Sequence, residues 1–273
     1  VIGMAASVRA ALLAYDDFGA VGTGQYNSTL HAATNGFGWR EPWVVQASAN
    51  FGYSIIGDLN KQMVYVDGIN KILITNGMFA AGGDAYTAAG RRLDVRETWE
   101  SPNQFTPYTN MIAGTAYIGK KGTELWFSAL VHQQANNNDY RLSLHCSHIA
   151  WGTATPWVSI KPESGVWTLQ AKGANNDDYS DSTGIARDVN KTFLMVVRMA
   201  FGEGNDVIDL FVNPASIGGT PPATPDATVT VTDDLYFRSM NWYPGNGQNS
   251  GYLDEVRIGT TYADVTPVPE PAG

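Results

Sequence analysis

The carboxylates of this chain do not form a recognisable catalytic pair. Glycoside hydrolysis requires two carboxyl groups facing each other across the scissile bond, ~5 Å apart for retention and wider for inversion. The chain holds only eight glutamates, and the E-x-D-x-x-E pattern that would align carboxylates on one strand face is absent. In the segment RETWE, a strand would place Glu97 and Glu100 on opposite faces. We therefore expect these two residues to lie at a solvated edge rather than to catalyse a reaction.

Metal, acyl-transfer and dinucleotide chemistry are also disfavoured by spacing. In HCSH, a strand would point His145 and His148 to opposite faces, which is poor geometry for a shared metal ion. The chain has no G-x-S-x-G nucleophile elbow. Its glycine runs do not follow the dinucleotide-binding pattern, so we expect no nicotinamide or flavin cofactor.

Aromatic and amide side chains point instead to binding. The chain has eight tryptophans, and sugars present apolar faces that stack on aromatic rings while amides take their hydroxyl groups. The segment MNWYPGNGQNSGY reads as a Gly/Asn loop, so we predict that Trp242 and Tyr243 stack on a ligand and that Asn246 contacts it. Trp151 and Trp157 are the next candidates. For four other tryptophans core packing is expected: Trp39, Trp43, Trp126 and Trp167.

The elements that must position these residues are strands. Segments such as GTELWFSALVHQQ, KTFLMVVRMAFG and NDVIDLFVNP carry alternating, β-branched or aromatic residues and end at Gly, Asn, Asp or Pro. No convincing amphipathic helix and no internal linker is visible. Spacings near ten residues predict an all-β, antiparallel two-sheet sandwich in a single domain.

The charge of the chain limits which partners it can bind, and its cysteine content limits its disulfides. The net charge is −9, and residues 137–273 carry nearly all of the excess, with eight basic and sixteen acidic side chains. Nucleic acid and anionic lipid both require basic patches, so we expect neither as a partner. The single cysteine, Cys146, cannot form an internal disulfide.

The two ends of the chain resemble export signals. Residues 1–10 (VIGMAASVRA) are apolar and small, and they satisfy the A-x-A-like rule for cleavage after Ala10, as expected for the end of a secretory signal peptide. The alternative is a first strand or apolar arm. Residues 266–273 include Val-Pro-Glu-Pro, which resembles the start of the PEP-CTERM sorting signal of Gram-negative bacteria. That resemblance implies a secreted or outer-envelope protein with a sorting and processing enzyme as partner. The alternative is a Pro-rich linker.

Residues 11–265 resemble bacterial concanavalin A-like, LamG-type jelly-roll domains. The resemblance is carried by ALLAYDDF with NGFGW near the start, by ELWFSALV, by TFLMVVRMAFGEGNDVIDLFVNP, and by LDEVRIGT before the terminal stub. Residues 44–110 match least. The resemblance implies a jelly roll of two packed sheets, a fold that binds or cuts glycans or serves in adhesion.

The same resemblance implies one structural Ca²⁺ ion where the first and last strands meet. The matching positions are Asp17 and Asp254, whose carboxylates would converge if the two strands pair. The alternative is that both residues only cap turns or bond the backbone.

These observations predict a secreted, envelope-associated protein that binds a glycan or exopolysaccharide without cleaving it, or that has a structural role in the extracellular matrix. Two alternatives stay open at this point. One is a divergent glycan-cleaving enzyme, a hydrolase or lyase, which would need close titratable groups in a cleft. The other is a protein–protein adhesion module, which would show an exposed apolar patch.

Overall fold

The fold was analysed on a computed structural model of the chain. The structure describes residues 11–18, 28–29, 36–45, 54–57, 63–67, 71–73, 78–82, 88–133, 140–147, 155–189, 191–244 and 251–267. For residues 28–29, 54–57, 71–73 and 78–82 the description is of the backbone alone.

Strands dominate the described residues. In chain order they are β1 Leu12–Asp16, β2 Ser28–Thr29, β3 Val44–Val45, β4 Ser54–Gly57, β5 Val64–Val66, β6 Lys71–Leu73, β7 Met78–Gly82, β8 Ala89–Arg92, β9 Thr109–Ile112, β10 Thr115–Ile118, β11 Thr123–Gln133, β12 Arg141–His145, β13 Trp157–Glu163, β14 Val166–Lys172, β15 Asp178–Ala186, β16 Thr192–Phe201, β17 Asp206–Val212, β18 Ala227–Val231, β19 Ser239–Tyr243 and β20 Gly251–Gly259. A 3₁₀ turn covers Thr106–Tyr108, and the short helix α1 covers Tyr262–Val265. Within the described part of the chain, no helix has the length and apolar character needed to cross a membrane.

The strands form two large antiparallel sheets. Among the described residues the larger sheet runs β18-β17-β16-β11-β20-β7-β4-β2, with β1 paired to β20. The smaller runs β15-β14-β13-β12-β19-β8-β3. Two hairpins, β9-β10 and β5-β6, stand outside them. The predicted all-β, antiparallel two-sheet sandwich is confirmed.

One apolar core joins the two sheets, and strand alternation explains it. In β11 the side chains of Leu125, Phe127 and Ala129 enter a core shared with Leu142 and Trp167 of the smaller sheet. Successive side chains of a strand point to opposite faces, so the residues between them face outward from the sandwich. The expectation of core packing holds for Trp43 and Trp167, and Trp39 packs against the core but is only partly buried. Trp126 is also buried, but in a separate cluster on the other face of β11.

The outer face of the larger sheet carries a second apolar cluster. Trp126 and Leu130 of β11 belong to it, and they are covered by Tyr65 of the β5-β6 hairpin, Ile217 of the loop after β17, and Tyr262 of α1. The helix is fixed by a capping box between Thr261 and Asp264. These covering segments leave part of the outer face open, and that opening is one of the two clefts described below.

The first and last described strands pair, as the sequence predicts. In β1, Ala14 lies opposite Ile258 and Asp16 lies opposite Val256. This closure seals the edge of β20 and brings the acidic residues near both ends of the domain into one region.

Candidate functional site

Trp99 is the aromatic side chain best placed to meet a ligand, and it is not among the residues predicted to bind one. It is 77% exposed, whereas most large apolar side chains of the described residues are buried. It lies in a turn formed by Thr98 and Trp99, not in a strand. The sequence signal is its setting: no apolar alternation surrounds it, charged residues flank it, and Pro102 follows.

The turn that carries Trp99 is held by a dense set of hydrogen bonds. The backbone N–H of Glu100 donates to the carbonyl of Glu97 (3.0 Å), and the N–H of Glu97 donates to Oε2 of Glu100 (2.8 Å). Arg40 pairs with the Glu100 carboxylate (2.8 Å), and Arg96 pairs with Asp94 (2.9 Å). Because the turn is already ordered, a ligand would not have to supply the entropy cost of fixing it.

Beside this turn lies a cleft of about 280 Å³. Its lining is mixed in polarity and comprises Arg96, Glu97, Thr98, Glu100, Pro102, Thr106, Thr109 and Met111. Oε2 of Glu97 is shielded from solvent and has no hydrogen-bond partner among the described residues. A buried acceptor without a donor is costly. A rotation of the Glu97 side chain toward the cleft would let this oxygen accept from a ligand hydroxyl or amide N–H. We call the Trp99 turn and this cleft the Trp99 cleft.

The two glutamates of this cleft are not arranged as a catalytic pair. They flank the turn at Thr98 and Trp99 rather than lying in a strand, so the argument from opposite strand faces does not apply to them. Oε1 and Oε2 of Glu100 both accept from Arg40, and Oε2 also accepts from the Glu97 N–H. These contacts lower the pKa of Glu100, with the backbone hydrogen bond from Glu97 as the largest cause. Glu97 alone keeps an uncommitted oxygen, whereas hydrolysis needs two carboxyl groups.

The larger cleft, about 460 Å³, opens on the outer face of the larger sheet, and we call it the outer-face groove. Its floor contains Glu124, Arg198 and Asp209, with Trp126 and Phe211 stacked alongside at 6.0 Å between ring centroids. One wall is the Pro-rich loop 219–225, and the other is the segment 260–262.

Strand register assembles the charged floor of the outer-face groove. Arg198 lies opposite Trp126 on β11 and opposite Asp209 on β17, so Glu124 is its diagonal neighbour. The guanidinium donates to Glu124 (2.7 Å) and to Asp209 (3.1 Å), and the Trp126 indole N–H donates to Glu124 (2.9 Å). The hydrogen bond to Glu124 is the largest cause that raises the pKa of Arg198. The floor is thus an ion-pair network with two carboxylates around one cation.

The structure places the residues predicted to stack on a ligand in different environments. The loop placement of Trp242 and Tyr243 is wrong, because both lie in β19 between β8 and β12. Trp242 lies on the same strand face as Met240, points into the core and is fully buried. Tyr243 is also buried, so neither ring can stack on a ligand. Trp157 begins β13 and is half-buried, with the Arg141 guanidinium 5.8 Å from its ring centroid.

Trp151 and Asn246, the remaining predicted binding residues, lie outside the described residues. Their roles stay predictions, as does that of Trp157.

The residues predicted to bind metal do meet at the β1/β20 junction. Asp254 is fully buried, its Oδ1 accepts from the Glu255 N–H, and its Oδ2 has no partner among the described residues. Burial, followed by the negative charges of Glu255 and Asp17, raises the pKa of Asp254 well above its usual value. Asp17 is therefore close enough to repel it electrostatically.

The other buried carboxylates near this junction are committed to protein partners. Asp16 accepts from Arg91, from the Trp43 indole (2.8 Å) and from a backbone N–H. Glu255 pairs with Arg257 and accepts from the Tyr15 hydroxyl (3.1 Å).

Calcium prefers six or more oxygen ligands. Among the described residues, no three His, Cys, Asp or Glu side chains are grouped so that they could hold a metal ion. The described side chains do not by themselves complete the predicted site.

Comparisons with known proteins extend only to the fold. No protein-family model matches the chain, and no curated protein matches it. Among solved structures, the receptor binding domain of botulinum neurotoxin D is similar at 10% identity and a TM-score of 0.45, covering 81% of this chain and 45% of that one.

Two further similar structures were found. The botulinum neurotoxin serotype D ligand binding domain in complex with N-acetylneuraminic acid shows 9% identity and a TM-score of 0.43, covering 78% of this chain and 47% of that one. The binding domain of Paraclostridial Mosquitocidal Protein 1 shows 10% identity and a TM-score of 0.36, covering 74% of this chain and 48% of that one. The chain spans less than half the length of each of these three domains. At such values the likeness carries no argument about function, which must come from the clefts themselves.

Proposed function

We propose that this protein binds glycans without cleaving them, and that the Trp99 cleft is its principal binding site. The observation that carries the proposal is a tryptophan 77% exposed on a hydrogen-bonded turn, next to a cleft whose Glu97 carboxylate has an unsatisfied buried oxygen. An isolated exposed indole gains nothing for folding, because its apolar surface stays in water. A sugar ring laid on the indole would remove that surface from water on one face.

The lining of the Trp99 cleft complements a sugar's polar edge. Glu97 offers an acceptor, Arg96 offers donors, and the Thr98 and Thr106 hydroxyl groups can do either. The Thr109 hydroxyl donates to the Phe105 carbonyl (2.8 Å), so it can only accept from a ligand. The volume is near the lower end of small-molecule sites, roughly 300 Å³, which suits one or two sugar units of a longer chain.

The alternative of glycan cleavage is less well supported by the same geometry. In the Trp99 cleft Glu100 is committed to Arg40, and in the outer-face groove Glu124 and Asp209 are both committed to Arg198. An assay for new reducing ends or for unsaturated products, run on every polysaccharide that binds, tests this alternative directly. Turnover that Glu97→Gln abolishes would make the protein an enzyme and overturn the proposal.

The alternative of protein–protein adhesion rests on two exposed apolar side chains: Met111, which lines the cleft, and Trp99, on the turn whose neighbours Thr98 and Glu100 line it. The two alternatives separate on a glycan array that compares the wild type with Trp99→Ala. Val66→Ala is the matched control, because Val66 is also an exposed apolar residue but belongs to β5 rather than to the Trp99 turn or the cleft lining. Glycan signals that weaken in Trp99→Ala and persist unchanged in Val66→Ala support glycan binding at the Trp99 cleft. An array with no signal for the wild type contradicts it.

We further propose that the protein acts at the cell envelope or in the exopolysaccharide matrix, where a sorting enzyme would process its C-terminal segment. Only the sequences of residues 1–10 and 266–273 support this part of the proposal, and most of both segments lie outside the described residues. Mass spectrometry of the protein from fractionated cells tests it. An unprocessed protein found only in the cytoplasm would refute it.

A further inference from the structure

The outer-face groove offers a second set of sugar-compatible contacts that the Trp99 cleft does not use. The side chains on its floor can both donate and accept hydrogen bonds. Arg198 uses each of its three nitrogens toward Glu124 or Asp209, and these contacts do not use all five N–H groups of the guanidinium, which lines the groove. The side chains of Arg198 and Glu124 are 36% and 38% exposed, so a ligand can reach them.

The charge of the floor selects against ionic ligands. Two carboxylates surround one guanidinium, so the floor has a net negative charge, and the whole chain has a net charge of −9. Phosphates, sulfates and uronates would be repelled by this field. A cationic ligand would have to displace Arg198 from ion pairs that are already formed. A neutral polyhydroxyl ligand meets neither obstacle, and it can hydrogen-bond donors and acceptors at once.

The proline wall of the groove is fixed in place before any ligand binds. At the start of its loop, the Ile217 N–H donates to Asp67 (2.8 Å) and the Gly218 N–H donates to the Thr266 hydroxyl (3.0 Å). Pro221 and Pro222 then present apolar rings toward the groove. A rigid apolar wall facing a polar floor matches the two kinds of surface that a sugar ring carries.

We propose that the outer-face groove is a second saccharide site, selective for neutral sugars, and that one chain therefore links two segments of polysaccharide. This inference rests on the proposed glycan-binding function but concerns a different set of residues. Two sites on one chain give a matrix protein a cross-linking activity that a single site does not provide.

Ala223→Trp tests the groove without disturbing its ion-pair network. Ala223 lines the groove and is exposed, so an indole at this position would fill the cleft while leaving Arg198 and its partners unchanged. Ala215→Trp is the matched control, because Ala215 belongs to the same loop and is exposed but does not line the groove. Circular dichroism and thermal melting confirm that each variant is folded.

The measurement is calorimetry with short oligosaccharides of dextran, laminarin and galactomannan, together with light scattering on the parent polysaccharides and on alginate as an anionic comparison. We expect the wild type and Ala215→Trp to bind two oligosaccharides per chain, and Ala223→Trp and Trp99→Ala to bind one each. On the long polymer, either single-site variant should lose on the order of 100-fold in apparent affinity and lose its scattering signal.

The outcomes separate the two proposals. If Trp99→Ala abolishes all binding, the groove is not a site and only the proposed function stands. If Ala223→Trp binds and scatters like the wild type, the groove inference is wrong. If Ala223→Trp abolishes all binding and Trp99→Ala has no effect, the groove is a site and the Trp99 cleft is not. If alginate binds the groove better than the neutral polymers do, the inferred selectivity is wrong. Absence of binding to every polymer overturns both proposals.

Discussion

The substitution Trp99→Ala should separate binding from folding. Trp99 is 77% exposed and donates no hydrogen bond that fixes its turn, which is held instead by Glu97, Glu100 and Arg40. Truncating an exposed side chain away from the core changes the free energy of unfolding by about 0.5 kcal/mol or less. A large effect on ligand affinity with little effect on stability is the expected signature.

The size of the effect on affinity follows from the exposed area. A tryptophan side chain presents roughly 250 Å², so about 190 Å² of Trp99 reaches solvent at 77% exposure. A sugar stacked on one face covers about half of this, ~90 Å², and burial at ~25 cal/mol per Å² yields about 2 kcal/mol. That free energy corresponds to a rise of about 30-fold in Kd when the indole is removed.

The assay is isothermal titration calorimetry with an oligosaccharide identified on the array, paired with urea unfolding of the same preparations. Trp99→Phe serves as a graded control, because it keeps a smaller ring and should lose only part of the binding free energy. Val66→Ala should leave Kd unchanged. If Trp99→Ala binds within about twofold of the wild type, or if Trp99→Phe is as weak as Trp99→Ala, the stacking argument is wrong.

Three further predictions concern the buried charges. Asp16→Asn removes the Asp16 charge that pairs with the buried Arg91 guanidinium, so urea unfolding should show a loss of about 3–5 kcal/mol. Arg92→Ala at the neighbouring, partly exposed pair with Glu41 should cost under ~1 kcal/mol, and comparable losses would contradict this reasoning. Because burial raises the pKa of Asp254, its stabilising contribution is complete below the usual value of 3.8 and is lost as pH rises. In EDTA, Tm should therefore fall from pH 4 to pH 8 in the wild type and fall less in Asp254→Asn, and an unchanged slope in the variant would count against this assignment. If calcium binds at the β1/β20 junction, adding calcium after EDTA treatment should raise Tm by several degrees in the wild type but not in Asp17→Asn. A wild-type Tm that does not change when calcium is added would rule out a calcium ion at this junction.

The sequence predicts the fold class well because strand alternation is a local property. In β11, residues 123–133, apolar side chains alternate across one face while the other face carries Glu124 and Trp126, and this pattern alone identifies a two-sided strand. The meeting of the first and last strands was also predicted, and with it the proximity of Asp17 and Asp254.

The binding residues were harder to predict, because exposure depends on what covers a side chain. The residues after Trp242 are rich in Gly and Asn, so the sequence of this segment is typical of a loop. The tryptophan itself lies in β19, where it points into the core on the same face as Met240. Trp99 lies between Glu97 and Glu100, and such a sequence is typical of a charged segment at the protein surface. Only the folded chain shows that, within its described part, no element covers this ring.

By itself, then, the chain's composition and its alternation of apolar and polar residues determined an antiparallel sandwich with an acidic surface and no nucleotide-binding pattern. The tertiary structure decided which aromatic rings reach solvent and which charges meet. Glu124, Arg198 and Asp209 come from three strands separated by up to 85 positions in the chain, and only the pairing register of β11, β16 and β17 sets them side by side. A short turn joins β16 to β17 and can set their register locally, but the pairing of β11 with β16 joins strands far apart in the chain and depends on the packing of the whole sandwich.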